Sequence, residues 1–455
     1  MSNTRVTSKN VKQAYVVSAK SSNVDAKTDF YEPSLADLKA KIKKDYSPSN
    51  IHTSQTAVRS IFMNCVIIGN PFLTYRFNVT KAFLNKHNLR LGEIYWIKNN
   101  VKTVLNDALA SFPNDVEITS GEDTTNIAIT AQSMSLQPKS FVLIGVKSVD
   151  EDSVELIKTF KNAQLSLKLD EKKGSRTNIL VILSFKNSWC EIYYFDPTCT
   201  LYATYLDKPI VTKVLERSNV LFSTDNSIFM MPATVKKLAY YSSASFKLFC
   251  VSLYNAQIIA QIKNDLKTIL AFTDVLFMTK QSARAMIKMY DIPASKLPQC
   301  FQTVNQLPKN LAGWLKTFSK KTCLVVICDG LKEASLTTDI QKEQTGKYSS
   351  YYFKNTQIVD MYGTHQAFIG GFLSMLIQGY TVELCLDYGF FCSSMVAGQI
   401  GVKFPENKIQ RLEEWIDLHL TDYHKNRKCA SNMAISFFHT PWKLQDMEDG
   451  AVISS

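Results

Sequence analysis

The sequence predicts an α/β fold with a mostly parallel central sheet flanked by helices, and three observations carry that prediction. Short, mostly apolar strings of strand length recur along the chain, several of them closed by turn residues. Segments with helical periodicity lie between several of these strings, which is the pattern of parallel βαβ units in a doubly wound sheet. The composition supports a large core: 45% of the residues are hydrophobic and 20% charged over 455 residues, enough for one large α/β domain plus extensions.

The elements follow in order. Residues 1–57 are polar and rich in Ser, Lys and Thr, and read as an extension. Within it, 31–45 predicts a short helix with Ser34 as N-cap and Leu35, Leu38 and Ile42 on one face, ended by Ser47, Pro48, Ser49 and Asn50. Order begins at 61–68, an apolar run closed by Gly69, Asn70 and Pro71 that reads as a buried strand ending in a turn. Further strand-like strings lie at 141–146, 178–185, 220–222, 246–253, 275–278 and 324–327, and helical periodicity at 127–134 and 233–242. In such folds ligands bind at the carboxyl ends of the strands, so attention falls on the residues after each string. The polar stretch 341–350 reads as a loop. A helix is expected over 367–379, with Gly370 and Gly371 allowing it to pack closely on the sheet. A last helix runs from 407 through Ile409, Leu412, Trp415 and Ile416, followed by a tail with Phe437, Phe438 and Trp442. The domain boundaries read from this are 1–57, 58–408 and 409–455.

Charge and cysteine usage narrow the class. The net charge of +12 favours acidic partners, although no dense basic block concentrates it. The 10 cysteines fall in apolar strings and form no paired C-x-x-C pattern, so buried free thiols in a reducing compartment are expected and a zinc site is not. His419 and His424 would point to different faces of a helix, and with Cys429 and His439 they match no zinc spacing. No apolar run is long enough to span a bilayer, and the N-terminus lacks an apolar signal core, so a cytoplasmic location is expected.

One stretch is specific. Residues 358–373, IVDMYGTHQAFIGGFL, resemble the C-terminal signature of the ribokinase (PfkB) family, most closely its adenosine kinase version, D-T-N-G-A-G-D-A-F-x-G-G-F. Gly69 to Leu73 running into 83–89 resembles that version's opening strand and lid entry, and 401–406, GVKFPE, its closing G-x-x-F-P-E. Between them 126–134 resembles the helix after the substrate diglycine, and 274–277 the strand before an N-x-x-E motif. The resemblance covers about 60–408, and the ordered set is far more specific than any one motif. It implies a ribokinase-like fold with a small β-rich lid, and transfer of the ATP γ-phosphoryl to a sugar hydroxyl. By the same resemblance, N–H groups at a helix start form an anion hole, here at Gly363 and Thr364, and the signature's last Asp takes the proton of the 5′-hydroxyl.

The chain departs from that pattern where the chemistry sits. Gln366 stands in place of the base, and an amide accepts no proton near neutral pH. His365 replaces a glycine and narrows the hole; as a base it is one position early. Thr74 replaces an Asp that grips ribose hydroxyls. The diglycine becomes Gly121 and Glu122, followed by Asp123, with Asn126 retained. The N-x-x-E motif, which orders Mg²⁺, becomes Thr279, Lys280, Gln281 and Ser282, and Leu331 replaces the Arg after Gly330 in the nucleotide loop. Phosphoryl transfer depends on positioning, metal and charge stabilisation, so these losses all act in one direction. The expectation is a pseudoenzyme whose pocket is partly filled by Glu122, Asp123, His365 and Phe390. It would serve as a structural or interaction component of a larger assembly, with an acidic partner surface such as a microtubule or a ribonucleoprotein, in the cytoplasm or on the cytoskeleton. No cofactor and no metal ligand are expected, with Mg²⁺ and ATP required only under the alternative of an active nucleoside kinase. A nucleotide sensor without turnover is a further alternative, and a nucleic-acid binder lacks any dedicated motif.

Overall fold

The computed structural model describes residues 64–96, 101–160, 163–292, 306–319, 321–329, 333–337, 345–349, 352 and 357–426. The helix expected at 31–45, the N-terminal boundary, the tail after 426, Gly330 and Leu331 lie outside these residues, as do the side chains after 419 in the last helix.

Among the described residues fourteen strands form two sheets. The strands are β1 (Asn64–Ile68), β2 (Phe72–Asn78), β3 (Ile94–Trp96), β4 (Val116–Gly121), β5 (Phe141–Ser148), β6 (Ser166–Lys172), β7 (Ile179–Phe185), β8 (Ser188–Tyr194), β9 (Ser218–Thr224), β10 (Leu248–Leu253), β11 (Val275–Thr279), β12 (Leu324–Asp329), β13 (Glu333–Thr337) and β14 (Thr345–Ser349). The central sheet runs β14-β13-β12-β11-β10-β9-β1-β5-β6, with every pairing from β12 to β6 parallel and the β12-β13-β14 edge antiparallel.

The side-chain alternation of these strands builds two cores. Cys65, Ile67, Phe141, Leu143, Phe222 and Phe277 face one layer of helices, while Val66, Ile68, Val142, Ile144, Leu221 and Leu276 face the other. Strands covered on both faces must be apolar at consecutive positions, which is why they read as unbroken strings. The eight cysteines among the described residues are unpaired and buried.

The second sheet, β3-β8-β7-β2-β4, is the lid expected from the family pattern. It mixes parallel and antiparallel pairs. The string at 178–185 is β7 of this lid and not a central strand. It is apolar throughout because Val181 and Leu183 pack outward on the helix Lys81–Lys86, while Leu180 and Ile182 pack inward with Tyr362. Two further expectations are corrected. The stretch read as a loop at 341–350 contains edge strand β14, whose polar sequence carries no apolar signal. Gly370 and Gly371 pack on helices and not on the sheet. A Cβ at Gly370 would lie 2.8 Å from the Ala131 backbone, and one at Gly371 2.7 Å from Cys392 Sγ. The helix Thr364–Leu376 is thus pressed between Asp123–Met134 and Val382–Ala397. The last helix, Lys408–Asn426, docks beyond, burying Leu412, Trp415 and Ile416.

Candidate functional site

The site lies where the signature loop enters the helix Thr364–Leu376. Asp360 holds the loop: its Oδ1 accepts from the Tyr362 N–H at 3.0 Å, and its Oδ2 from the Gly401 N–H at 3.0 Å and the Arg76 guanidinium at 2.5 Å. Arg76 belongs to β2, so this buried pair fastens the lid sheet to the loop; Lys403 and Glu117 add a second tie at 2.7 Å. The chain then turns at Gly363 in the left-handed region, φ +81°. A Cβ there would be strained by that φ and would also sit 2.4 Å from Val402 Cγ2. No side chain caps the helix that follows, so its first-turn N–H groups lack a side-chain acceptor.

The opposing wall begins at the end of β4. Thr74 Oγ1 occupies the space a Cβ on Gly121 would need, 1.9 Å away, so a glycine is required there by close approach. Glu122 follows at φ +73° and is almost wholly buried. It caps the helix Asp123–Met134 by accepting the Thr125 N–H at 2.9 Å, and its Oε2 has no partner. Thr74 Oγ1 is likewise buried without a partner. Asp123 accepts the Gln366 amide at 2.5 Å on one oxygen and the Asn226 amide at 3.1 Å on the other. Gln366, which the resemblance sets at the position of the family's base, therefore donates to a carboxylate of the opposite wall.

Four carboxyls converge behind this contact. Desolvation raises Glu122 to about 8, Asp225 to about 8, Glu191 to about 7 and Asp123 to about 6, with the Asp123 charge adding to the shift of the other three. Their hydrogen bonds oppose the shifts. Asp225 accepts the backbone N–H groups of Tyr254 and Asn255 at 2.9 and 2.7 Å, and Glu191 accepts Tyr193 and Trp189 at 2.8 and 3.1 Å. Asp225 and Asn226 follow directly after β9, at the strand end where sequence reasoning looks for a site, yet they escaped it because they match no motif. Glu191 gave no signal, being one polar residue in a lid strand.

A cavity of about 440 Å³ is lined in part by the signature loop and the start of its helix. Of the residues expected at the site, His365 and Thr364 line it, together with Phe390; Thr74, Gly121, Glu122, Asn126 and Gln366 do not. Lys280, Arg284, Trp189 and Tyr254 complete its character. Thr364 Oγ1 donates to the Met361 carbonyl at 2.9 Å, and the Thr364 carbonyl accepts from Ser393 at 2.9 Å. His365 Nε2 is buried without a partner, the ring lies 5.0 Å from Tyr254, and burial pulls its pKa down to about 4. The expected filling of one pocket is thus divided: His365 and Phe390 belong to the cavity, Glu122 and Asp123 to the wall that Gln366 closes.

A divalent cation asks for carboxylate or carbonyl oxygens. The described lining residues of this cavity include no carboxylate, and the described residues hold no group of three or more His, Cys, Asp or Glu placed for a metal. The described lining residues thus offer a divalent cation no carboxylate.

A mostly parallel sheet with its cleft at the strand ends, a mixed lid sheet tied over it and a helix start facing the cleft define a small-molecule kinase fold. The family model for pfkB family carbohydrate kinases matches residues 87–409, and the chain belongs to that family. Within it the chain is adenosine kinase-like. It is 22% identical over 339 residues to adenosine kinase 1 of Arabidopsis thaliana, covering 74% of this chain and 95% of that protein. It is 20% identical over 348 residues to the adenosine kinase of Saccharomyces cerevisiae, covering 76% and 97%. Among solved structures, adenosine kinase from Schistosoma mansoni in complex with 2-fluoroadenosine superposes with a TM-score of 0.67 at 18% identity over 75% of this chain and 97% of that one. Among the described residues no helix is long and apolar enough to cross a membrane.

Proposed function

We propose that this chain is a catalytically silent relative of adenosine kinase that serves as an interaction component of a larger assembly. The observation that carries this reading is the Gln366–Asp123 hydrogen bond. The amide at the base position accepts no proton, and it is spent on a contact that joins the two walls where the sugar hydroxyl would have to enter. His365 does not replace the base. With its pKa drawn down to about 4, its neutral ring is a poor proton acceptor for an alcohol. Ser282 stands where the family pattern has its metal-ordering carboxylate, and the neighbouring Lys280 and Arg284 are cationic, which argues in the same direction.

The assembly role is supported by what the chain adds. Residues matching 95% of the Arabidopsis relative account for 74% of this chain, and the net charge is +12. A protein or ribonucleoprotein partner with an acidic surface, such as a microtubule in the cytoplasm, fits that charge. The decisive measurement is ADP release with adenosine and Mg-ATP. The expected rate equals a buffer blank. A clear rate that vanishes in His365→Ala would overturn the reading in favour of a working nucleoside kinase, the reading that kinship with named adenosine kinases supports. Affinity purification from the native source then identifies the partner. The expected product is a stoichiometric complex that dissociates as salt rises, and recovery of the chain alone at low salt would sink the assembly role.

A further inference from the structure

We infer that the edge of the central sheet opposite the cleft is a docking surface for an acidic protein segment, with the Phe246 ring as its anchor. The inference deepens the assembly role proposed above and rests on it. Phe246 closes the helix Pro232–Ala244 in the left-handed region, at φ +53°. Its N–H donates to the Ser243 carbonyl at 3.4 Å and the Lys247 N–H to the Ser242 carbonyl at 2.8 Å, the pair of bonds that ends a helix through a left-handed residue. Glycine suits such a position, and a bulky side chain there is strained. The other described non-glycine residues at positive φ are Asn, Glu, Lys, Gln and Asp, all polar. Phe246 is also 76% exposed, more than any other large hydrophobic side chain among the described residues. A ring that strains the backbone and gains no burial is placed for a contact outside the chain.

The topology sets Phe246 in a surface. β9, β10 and β11 are parallel neighbours, with Leu248 beside Val220 and Cys250 beside Val275. The segments leading into them carry Arg217, Phe246 and Phe272, and so lie side by side at the end of the sheet away from the cleft. Tyr240, 52% exposed, packs on Phe272 at 4.8 Å and widens the aromatic surface. Lys247 fixes the loop: its Nζ donates to the carbonyls of Glu216 and Ser218 at 3.0 and 2.6 Å, so the ring is presented on a held backbone. The charge beside it is positive. Lys213 and Arg217, one turn apart on the helix Pro209–Arg217, are both exposed. Of the acids on these elements, Asp265 and Asp274 are held by Lys236 and Lys321 at 2.5 and 3.1 Å, and Glu216 stands next to Arg217. An exposed ring flanked by cations matches a protein segment with acids around an apolar slot. A nucleic-acid backbone asks instead for a run of cations along its phosphates, and Lys213 and Arg217 alone do not make one.

Two measurements on the full chain test this. In thermal unfolding, Phe246→Gly is expected to melt at or above the temperature of the parent, because the position suits glycine and the ring is exposed. A lower midpoint would show that the ring supports the fold, and would overturn the inference. In the complex recovered from the native source, Phe246→Gly and Arg217→Glu are each expected to cut the recovered partner by about 10-fold or more. Leu418→Ala, which removes an exposed side chain from the helix layer on the other face of the sheet, should leave it unchanged. With p-benzoylphenylalanine placed at position 246, irradiation should join the chain to a protein segment in which Asp and Glu outnumber Lys and Arg. No adduct, or an adduct on RNA, on lipid or on a basic segment, would overturn the inference. A complex that survives both Phe246→Gly and Arg217→Glu would also overturn it while leaving the assembly role standing. Recovery of the chain alone would remove both. ADP release reads neither, so the silent-kinase reading fails separately.

Discussion

Gln366, set by the resemblance at the place of the family's carboxylate base, carries an amide, and that amide has a partner in Asp123. Asp123 receives one hydrogen bond from Gln366 and one from Asn226, so its charge is matched by two donors in a half-buried setting. Restoring the family's Asp at 366 would therefore set two carboxyls against each other and strip Asp123 of its shorter contact. Gln366→Asp is expected to lower stability by about 2–4 kcal/mol in urea unfolding and to produce no kinase activity. The double variant Gln366→Asp/Asp123→Asn is expected to recover most of that loss, and additive effects in the double variant would contradict the pairing. Gly363 is a second residue whose identity is dictated locally. Gly363→Ala forces a Cβ into the left-handed region and onto Val402, with an expected cost of about 1–3 kcal/mol. A variant as stable as the parent would show that the loop does not need that turn.

At the scale of elements, the last helix matters most, because it lies at the edge of the family match yet is built into the core. Trp415 is 2% exposed, stacks on His419 at 4.9 Å and meets Tyr388 edge-on at 4.5 Å. Its Nε1 donates to Tyr352 at 2.9 Å and to Asp387 at 3.0 Å. Trp415→Ala is expected to cost about 3–5 kcal/mol, whereas Trp415→Phe, which keeps a ring and loses the N–H, should cost about 1–2 kcal/mol. Equal costs would mean that the hydrogen bonds, and not the ring, hold the helix. The helix was legible in sequence from Leu412, Trp415 and Ile416 at helical spacing. Its polar partners were not, since Asp387 and Tyr352 come from segments with no reason in sequence to meet it. The lid shows the converse limit. The 178–185 string announced a buried strand, but apolar content does not say which sheet buries it, and β14 announced nothing because an edge strand can be polar.

For the molecule as a whole, the converging carboxyls set the response to pH. Glu122, Asp225, Glu191 and Asp123 bind protons more tightly folded than unfolded, so folding takes up protons between the ordinary carboxyl range and about pH 8. Stability from these groups is greatest at the acidic end of that window and falls as pH rises through it. Asp107, Asp150, Asp170 and Asp196, whose pKa values are lowered by their hydrogen bonds, act oppositely and withdraw stability only below about pH 4. Urea unfolding is expected to show a maximum near pH 5–6 and a decline toward pH 8 that Glu122→Gln flattens. A profile rising from pH 6 to pH 8 would rule out a protonated cluster.

The chain by itself determined the class of fold, the order of its motifs and that the residue matched to the base position is a glutamine. These depend on local periodicity and on short stretches read in sequence. Only the tertiary structure decided that Gln366 meets Asp123 across 243 positions, that Asp225 and Glu191 gather behind them, and that Lys280 and His365 share a cavity apart from Glu122. Contacts of that kind are set by how helices and lid pack on the sheet. Which buried donor finds which acceptor is a property of the assembled backbone and leaves no mark on the spacing of residues along it.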